Sequence, residues 1–148
     1  MANIVFNTAL GRVAALAALP AANDALVAIP LEAAGLVSDT VMRDYSDLAA
    51  LLAGATNEQT AMGRKTLTGV TATVDLTADR VNVDCADITW TAATGSAVGA
   101  VVICYDPDTT TGTDADLIPL TKHDVVLTPD GNNFTLTVAD FYRASSAA

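Results

Sequence analysis

The stretch from Ile88 to Val138 decides the fold, because it holds several segments that favour extended structure, separated by polar turns. These segments read ITWT (88–91), AVGAVVICY (97–105), LIPL (117–120), DVVLT (124–128) and FTLTV (134–138). They are rich in β-branched and aromatic residues, which suit a pleated, half-buried surface. The longest apolar run, 97–105, is too short to cross a membrane. We therefore predict four or five strands in this stretch.

The turn from Thr128 to Gly131 is the clearest local signal in the stretch. Pro129 presets φ at the second turn position, and Gly131 accepts a positive φ. The segments on both sides of the turn alternate apolar and polar residues, as half-buried strands do. This pattern predicts a hairpin that pairs 124–128 with 134–138.

The N-terminal part predicts a short strand over 2–6 and then a helix. The helix would be capped by Asn7 or Thr8 and run to about Leu19, where Pro20 stops it. Its apolar stripe would consist of Leu10, Val13, Leu16 and Ala17. The opposite face is mostly alanine, with Arg12 as its single charge. Such a helix either packs on the sheet of its own domain or is buried against a neighbouring subunit.

Three further elements follow in the chain. The segment 25–31 reads as a strand, and Pro30, which has no N–H to donate, places it at a sheet edge or ends it there. A short helix, capped by Asp44 or Ser46, would bury Leu48, Leu51 and Leu52 and stop at Gly54. The segment 70–83 alternates apolar and polar residues, which predicts a pair of strands with a turn at 76–79.

Together these elements predict an α+β fold. We expect a mainly antiparallel, β-sandwich-like domain with one N-terminal helix and one short helix. Residues 1–63 would form an N-terminal α/β portion and residues 64–148 a C-terminal β portion of one compact domain.

Composition excludes several classes of partner. The chain has 148 residues, of which 7 are Lys or Arg and 17 are Asp or Glu, so its formal net charge is −10. So few basic residues cannot neutralise the phosphates of a nucleic acid or bind an anionic membrane surface. The Ala-rich run 14–34 is interrupted by Pro20, Asp24 and Pro30, so no transmembrane helix is expected there. The segment Met1-Ala2-Asn3 lacks the positive charge of a secretory signal.

Few residues are of a type and in a pattern that could support catalysis or metal binding. The acidic loop 106–116 carries four aspartates, which are either calcium ligands or side chains of a solvated turn. His123 precedes Asp124, but neighbours in a strand point to opposite faces, so the two are not expected to form a dyad. Cys85 and Cys104 form no CxxC pair and would be buried thiols or, alternatively, a disulfide. Without a nucleophile elbow, a P-loop, HExxH or GxGxxG, we expect no enzyme, cofactor or metal site.

Surface contacts are the remaining possibility. Trp90 lies in a predicted strand, where it is either a core anchor or an interface hot spot. The candidate residues for an interface with another subunit or with a partner protein are Leu10, Val13, Ala14, Ala18 and Trp90.

Short segments spread along nearly the whole chain form a recognisable pattern. They are NIVFN (3–7) followed by GRV (11–13), RDYSDLAALL (43–52), TWTAA (89–93), CYDPDTT (104–110), IPLTKHD (118–124), TPDG (128–131) and FYRAS (141–145). The pattern resembles that of a family of small structural proteins of tailed bacteriophages. The chain departs from that family between Gly69 and Asp84, where members are longer and more acidic.

The resemblance implies a function without catalysis. It implies a virion protein of the phage head, made in the host bacterial cytoplasm, that decorates the outer capsid surface by binding the major capsid protein. Self-association as a trimer would match the local threefold positions of a capsid lattice. The alternatives are a tail or head–tail connector component, or a tail module that binds host carbohydrate through exposed aromatic rings.

Overall fold

The computed structural model describes residues 3–54 and 56–146, so the predictions that fall on Met1, Ala2, Ala55, Ala147 and Ala148 lie outside the described residues. The strands are β1 (Ile4–Val5), β2 (Ala25–Glu32), β3 (Lys65–Thr66), β4 (Thr71–Asp75), β5 (Arg80–Asp84), β6 (Ile88–Trp90), β7 (Val98–Asp106), β8 (Ile118–Leu127), β9 (Phe134–Leu136) and β10 (Tyr142–Ser145). The helices are α1 (Val13–Ala17), α2 (Asp39–Met42) and α3 (Leu48–Ala53), and a 3-10 turn spans Asn7–Ala9.

The strands form one large sheet and two small ones. Within the described residues the large sheet has the order β1-β8-β7-β2-β3, and each of its pairs is antiparallel. The small sheets are β10-β5-β4 and β6-β9, which are also antiparallel. The prediction of an α+β, mainly antiparallel, sandwich-like fold is therefore confirmed.

The large sheet separates two hydrophobic clusters, because alternate residues of its central strands point to opposite faces. Val101 and Ile103 of β7 face a cluster that includes α1, β5 and Trp90 of β6. Val102 and Cys104 face a second cluster built with Met42 of α2 and with α3. The helices α2 and α3 thus cover one face, and α1 with the two small sheets covers the other.

The two portions expected from the sequence share this sheet. Strands β1 and β2 come from residues 1–63, whereas β3, β7 and β8 come from 64–148. Since β2 pairs with β7 along almost its whole length, the boundary near residue 63 does not separate two sheets.

The hairpin predicted at Thr128–Gly131 is wrong. β8 runs without interruption from Ile118 to Leu127 and pairs with β7, whereas β9 pairs with β6. The turn itself forms, but its hydrogen bonds are made with the residues after β6. Gly131 donates its N–H to the carbonyl of Ala93, and Ala93 donates its N–H to the carbonyl of Asn132. The turn therefore carries the chain from the large sheet to a small one.

The predicted N-terminal helix is shorter than expected. Gly11 has φ +73°, a left-handed conformation that ends the 3-10 turn before α1 begins at Val13. The break turns Leu10 away from the stripe, so that its side chain is 62% exposed. The expectation that Leu10 lies on the buried stripe is therefore wrong, while Val13, Leu16 and Ala17 are buried as expected.

Two other local predictions are wrong in part. The helix capped near residue 46 is α3, and its N-cap is Asp47, which accepts the N–H of Ala50 at 2.8 Å; Asp44 instead accepts a hydrogen bond from Asn7. Strand β2 continues past Pro30 to Glu32 and lies between β7 and β3, so the expectation that Pro30 ends the strand or places it at a sheet edge is wrong. On the side facing β3, the Pro30 carbonyl accepts the N–H of Gln59. The missing donor of Pro30 is tolerated because β3 pairs only with Val27 and Ala28.

The strand pair predicted over 70–83 is confirmed. β4 and β5 form a hairpin in which Ala72 pairs with Val83 and Val74 with Val81. The Asp75 carboxylate accepts the backbone N–H groups of Thr77 and Ala78 in the turn.

Candidate functional site

A buried ion cluster lies where β8 meets α2. The side chain of Lys122 is 0% exposed, and its Nζ lies 2.8 Å from Oδ1 of Asp39 and 2.5 Å from Oδ1 of Asp124. Asp39 is the first residue of α2, and Asp124 stands two positions along β8. Lys122 also pairs across the sheet with Ile4 on one side and Val102 on the other. A buried ammonium requires such partners, because an unpaired charge in the interior is strongly unfavourable.

His123 lies on the opposite face of β8, beside a small cleft. The cleft has a volume of about 210 Å³, and its apolar lining comes from both layers, including Val101 of β7 and Leu136 of β9. A second cleft of about 170 Å³ also borders His123, whose ring lies perpendicular to that of Phe141 with 6.5 Å between the ring centroids. Polar side chains lie around both openings.

Three of the polar residues around the clefts are engaged in bonds to other groups. Asp124 binds Lys122, and the Asp140 carboxylate lies 2.6 Å from Nη2 of Arg143. Oδ1 of Asn3 accepts the backbone N–H of Asp124. These pairings satisfy the charges at the rim without leaving an acid and a base opposed across the cleft.

His123 makes its own hydrogen bond within β8. Its Nε2 lies 2.9 Å from the hydroxyl of Thr121, whose side chain is buried with 2% exposure. Burial, and then the positive charge of Lys122, lower the pKa of His123 from its ordinary value, while Asp124 acts in the opposite direction. The His123–Thr121 pair borders the second cleft, but the Thr121 residue is almost completely buried.

The acidic loop 106–116 uses its carboxylates to hold its own backbone. Asp108 accepts hydrogen bonds from the hydroxyls and backbone of Thr110 and Thr111, and Asp116 accepts two from Thr113. These bonds lower the pKa of both carboxylates. The geometry is that of a self-capped turn.

Asp114, in the same loop, belongs to an ion bridge. Arg64 donates to both carboxylate oxygens of Glu58 and to both oxygens of Asp114, at distances between 2.6 and 3.1 Å. The bonds to Glu58, and then those to Asp114, raise the pKa of Arg64. The bridge anchors the acidic loop to the segment before β3.

The two cysteines are buried and free. Burial, and then Asp84 and Asp87, raise the pKa of Cys85 to about 11, and burial also raises that of Cys104. Neither sulfur carries the thiolate that a nucleophile or metal ligand needs near neutral pH.

The predicted interface residues fall into two groups. Val13 is 0% exposed and Trp90 is 1% exposed, and both pack in the cluster between the sheets, so assigning them to an interface is wrong. Leu10 and Ala18 are exposed, and Ala14 is half-buried against the same cluster. The core alternative left open for Trp90 is the one observed.

Exposed apolar side chains surround α1. We define the α1 surface as the exposed residues Leu10, Ala15, Ala18 and Leu19, of which Leu10 and Leu19 are 62% and 53% exposed. Helix α1 lies against β4 and β5, and Val74 of β4 is 67% exposed. The sequence predicted part of this surface, because the face of the N-terminal helix opposite its apolar stripe is mostly alanine. Nothing in the sequence indicated that β4 would be exposed on both faces.

In residues 3–54 and 56–146, no helix is long and apolar enough to cross a membrane. In the same residues, no group of three or more His, Cys, Asp or Glu side chains is arranged to hold a metal ion. No protein-family model, curated protein or solved structure matches the chain.

Proposed function

We propose that this chain is a structural protein of a tailed-bacteriophage virion, which decorates the head by binding the major capsid protein on its outer surface. The motifs from NIVFN to FYRAS support the phage assignment by resemblance. The observation that carries the binding role is the α1 surface, where Leu10 and Leu19 are exposed on a chain with a net charge of −10. Apolar side chains concentrated around one short element are typical of a partner surface.

Electrostatics favours a protein partner over a nucleic acid. The formal charge is −10, and several of the few cations are already paired with carboxylates: Arg64, Arg80, Lys122 and Arg143. An acidic exterior keeps a capsid-bound protein soluble and repels phosphate. The contact with a capsid would therefore be mainly apolar.

The carbohydrate-binding alternative has less support. Every aromatic residue of the chain is buried or half-buried, with Trp90 in the core and Phe134 stacked on it. Sugar recognition uses exposed aromatic faces, which the described loops do not present. A tail or connector role remains the second candidate, because it requires the same kind of apolar contact.

The test is binding to capsids that lack the protein. Wild-type protein should sediment with them, and electron microscopy should find it over the whole shell. Leu10→Glu should weaken binding at least tenfold, because a buried carboxylate without a partner is unfavourable. The matched control is Val41→Glu on α2, an exposed apolar residue (48%) against the opposite face of the sheet.

The outcomes separate the candidates. Label at a single vertex would replace decoration with a connector or tail role. Equal binding by wild-type and Leu10→Glu proteins would exclude the α1 surface, and no binding to capsids at all would refute decoration.

A further inference from the structure

The ion cluster at Lys122 contains two carboxylates beside one amine, whereas a salt bridge requires only one carboxylate. One amine, fully buried, is in direct contact with two carboxylates from different elements, at 2.8 Å for Asp39 and 2.5 Å for Asp124. The side chains of Asp39 and Asp124 are 17% and 28% exposed, so the cluster is largely shielded from water. An amine and a carboxyl group held together are the two reactants of an amide, and a second carboxyl group is a proton carrier.

We propose that Lys122 and Asp39 form an intramolecular isopeptide bond, with Asp124 as the proton carrier. Asp124 takes a proton from the Lys122 ammonium, and the free amine attacks Cγ of Asp39. The carbon–nitrogen bond forms, and one carbon–oxygen bond of the Asp39 carboxyl group breaks. Asp124 passes two protons in turn from Nζ to the departing oxygen, which leaves as water. Asp124 ends as the carboxylate that it was, and the charges of Lys122 and Asp39 cancel in a neutral amide.

Burial favours the product of this reaction. An ammonium–carboxylate pair loses hydration when it is enclosed, whereas an amide carries no charge and loses far less. Hydrolysis of the amide would require a water molecule at Cγ of Asp39. The side chains of Lys122 and Asp124 lie around that carbon and limit the access of water to it. The folded protein thus holds the reactants together and disfavours the reverse step.

Asp39 is assigned as the partner because of where it stands. Asp124 is two residues from Lys122 on one strand, and a bond between them would link only neighbouring positions. Asp39 reaches Lys122 from α2 across a sequence separation of 83, and it is the less exposed of the two carboxylates. The resulting bond would tie α2 to β8 covalently, independently of whether the protein decorates a capsid.

The test is the mass of the full chain under denaturing conditions. Wild-type protein should be lighter than its sequence by one water molecule. Trypsin should fail to cleave after Lys122 and should release a branched peptide that joins residues 13–43 to residues 81–143. Lys122→Met and Asp39→Ala should each have the full sequence mass, and Asp124→Asn should form the bond more slowly or not at all. The matched control is Lys65→Met, which keeps the cluster and should still lose water.

The result that overturns the proposal is equally direct. If wild-type protein keeps its full mass after prolonged incubation and trypsin cleaves after Lys122, the cluster is ionic only. Loss of water that maps to Asp124, or to a cyclic imide at Asp130–Gly131, would also refute the assignment. The wild-type peptide map decides the matter even if the variants fail to fold.

Discussion

The indole Nε1 of Trp90 donates a hydrogen bond to the carbonyl oxygen of Gly63, 2.9 Å away, and thereby joins β6 to the segment before β3. The ring itself is 1% exposed and stacks on Phe134, with 5.9 Å between the ring centroids. A buried indole needs a partner for its N–H, and here a backbone carbonyl provides it. The largest side chain of the core is thus held by packing and by one directed bond.

Replacing Trp90 should separate these two contributions. We expect Trp90→Ala to lower the free energy of unfolding by about 3–5 kcal/mol, as large-to-small core changes do. Trp90→Phe keeps most of the apolar contact but leaves the Gly63 carbonyl without its donor, and should lower it by about 1–3 kcal/mol. Urea denaturation followed by circular dichroism measures both values. If Trp90→Phe were as stable as the wild type, a water molecule would have to replace the indole N–H as the donor to the Gly63 carbonyl.

Stability should depend on pH through His123. Its pKa in the folded protein lies below the ordinary value of 6.5, because the ring is buried and close to Lys122. Between those two pKa values the unfolded chain binds more protons, so the free energy of unfolding should fall as the pH falls below about 6.5. The contribution of His123 to the free energy of unfolding is fully present above that pH. As the pH falls, this free energy decreases by at most about 1.4 kcal/mol per pH unit.

His123→Gln is the variant that tests this dependence. Its amide can keep a hydrogen bond to Thr121 but cannot titrate, so its stability should change less between pH 7 and pH 5. Asp140 and Arg143, which also stand at the clefts beside the ring, and the pair of Lys122 and Asp124 remain in both proteins. Parallel pH profiles for wild-type and variant would assign the dependence to those groups.

Self-association should depend on the α1 surface. Ala18 is exposed at the C-terminal end of α1, and its small side chain permits close approach of another backbone. We expect Ala18→Glu to convert the trimer that the phage resemblance implies into monomers, without changing the circular dichroism spectrum. Light scattering after gel filtration measures the oligomer.

The matched control for Ala18 is Ala53→Glu, an exposed alanine on α3 against the other face of the large sheet. This variant should assemble like the wild type. A wild-type protein that is monomeric in solution and on capsids would contradict the self-association role of α1.

The acidic loop should not respond to calcium. Because Asp108 and Asp116 accept hydrogen bonds from Thr110, Thr111 and Thr113, a calcium ion would have to displace bonds already made. We expect the same melting temperature with millimolar Ca²⁺ and with a chelator. An increase of several degrees in Ca²⁺ would reveal a site, since a ligand that binds only the folded state stabilises it.

Two of the predictions that rest on neighbouring residues are accurate. The hairpin of β4 and β5 follows from local alternation and a turn in which Asp75 bonds the next residues. Helix α3 follows from Asp47 and Gly54 at its ends, although the cap was expected at Asp44 or Ser46. Each of these signals is complete within one short segment of the chain.

Where the structure departs from the predictions, the cause is a partner that is distant in the sequence or a backbone conformation that was not foreseen. The turn at 128–131 was recognised, but the strand that pairs with β9 is β6, which lies on the other side of β7 and β8 in the sequence. A lysine within IPLTKHD gives no local sign of burial, because its partner Asp39 is 83 positions away. The α1 surface was anticipated only in part, because the positive φ of Gly11 was not foreseen and it reorients Leu10.

The pairing of β2 with β7 has a consequence for the order in which the chain folds. β2 is apolar and buried along nearly its whole length, yet its main partner strand begins at Val98. During synthesis from the N-terminus, ALVAIPL therefore leaves the ribosome long before the residues that cover it, and remains exposed as an unpaired strand. Contacts between such distant segments slow folding, since a long loop must close before they form. The nascent chain should therefore be a substrate for chaperones until residue 106 has emerged.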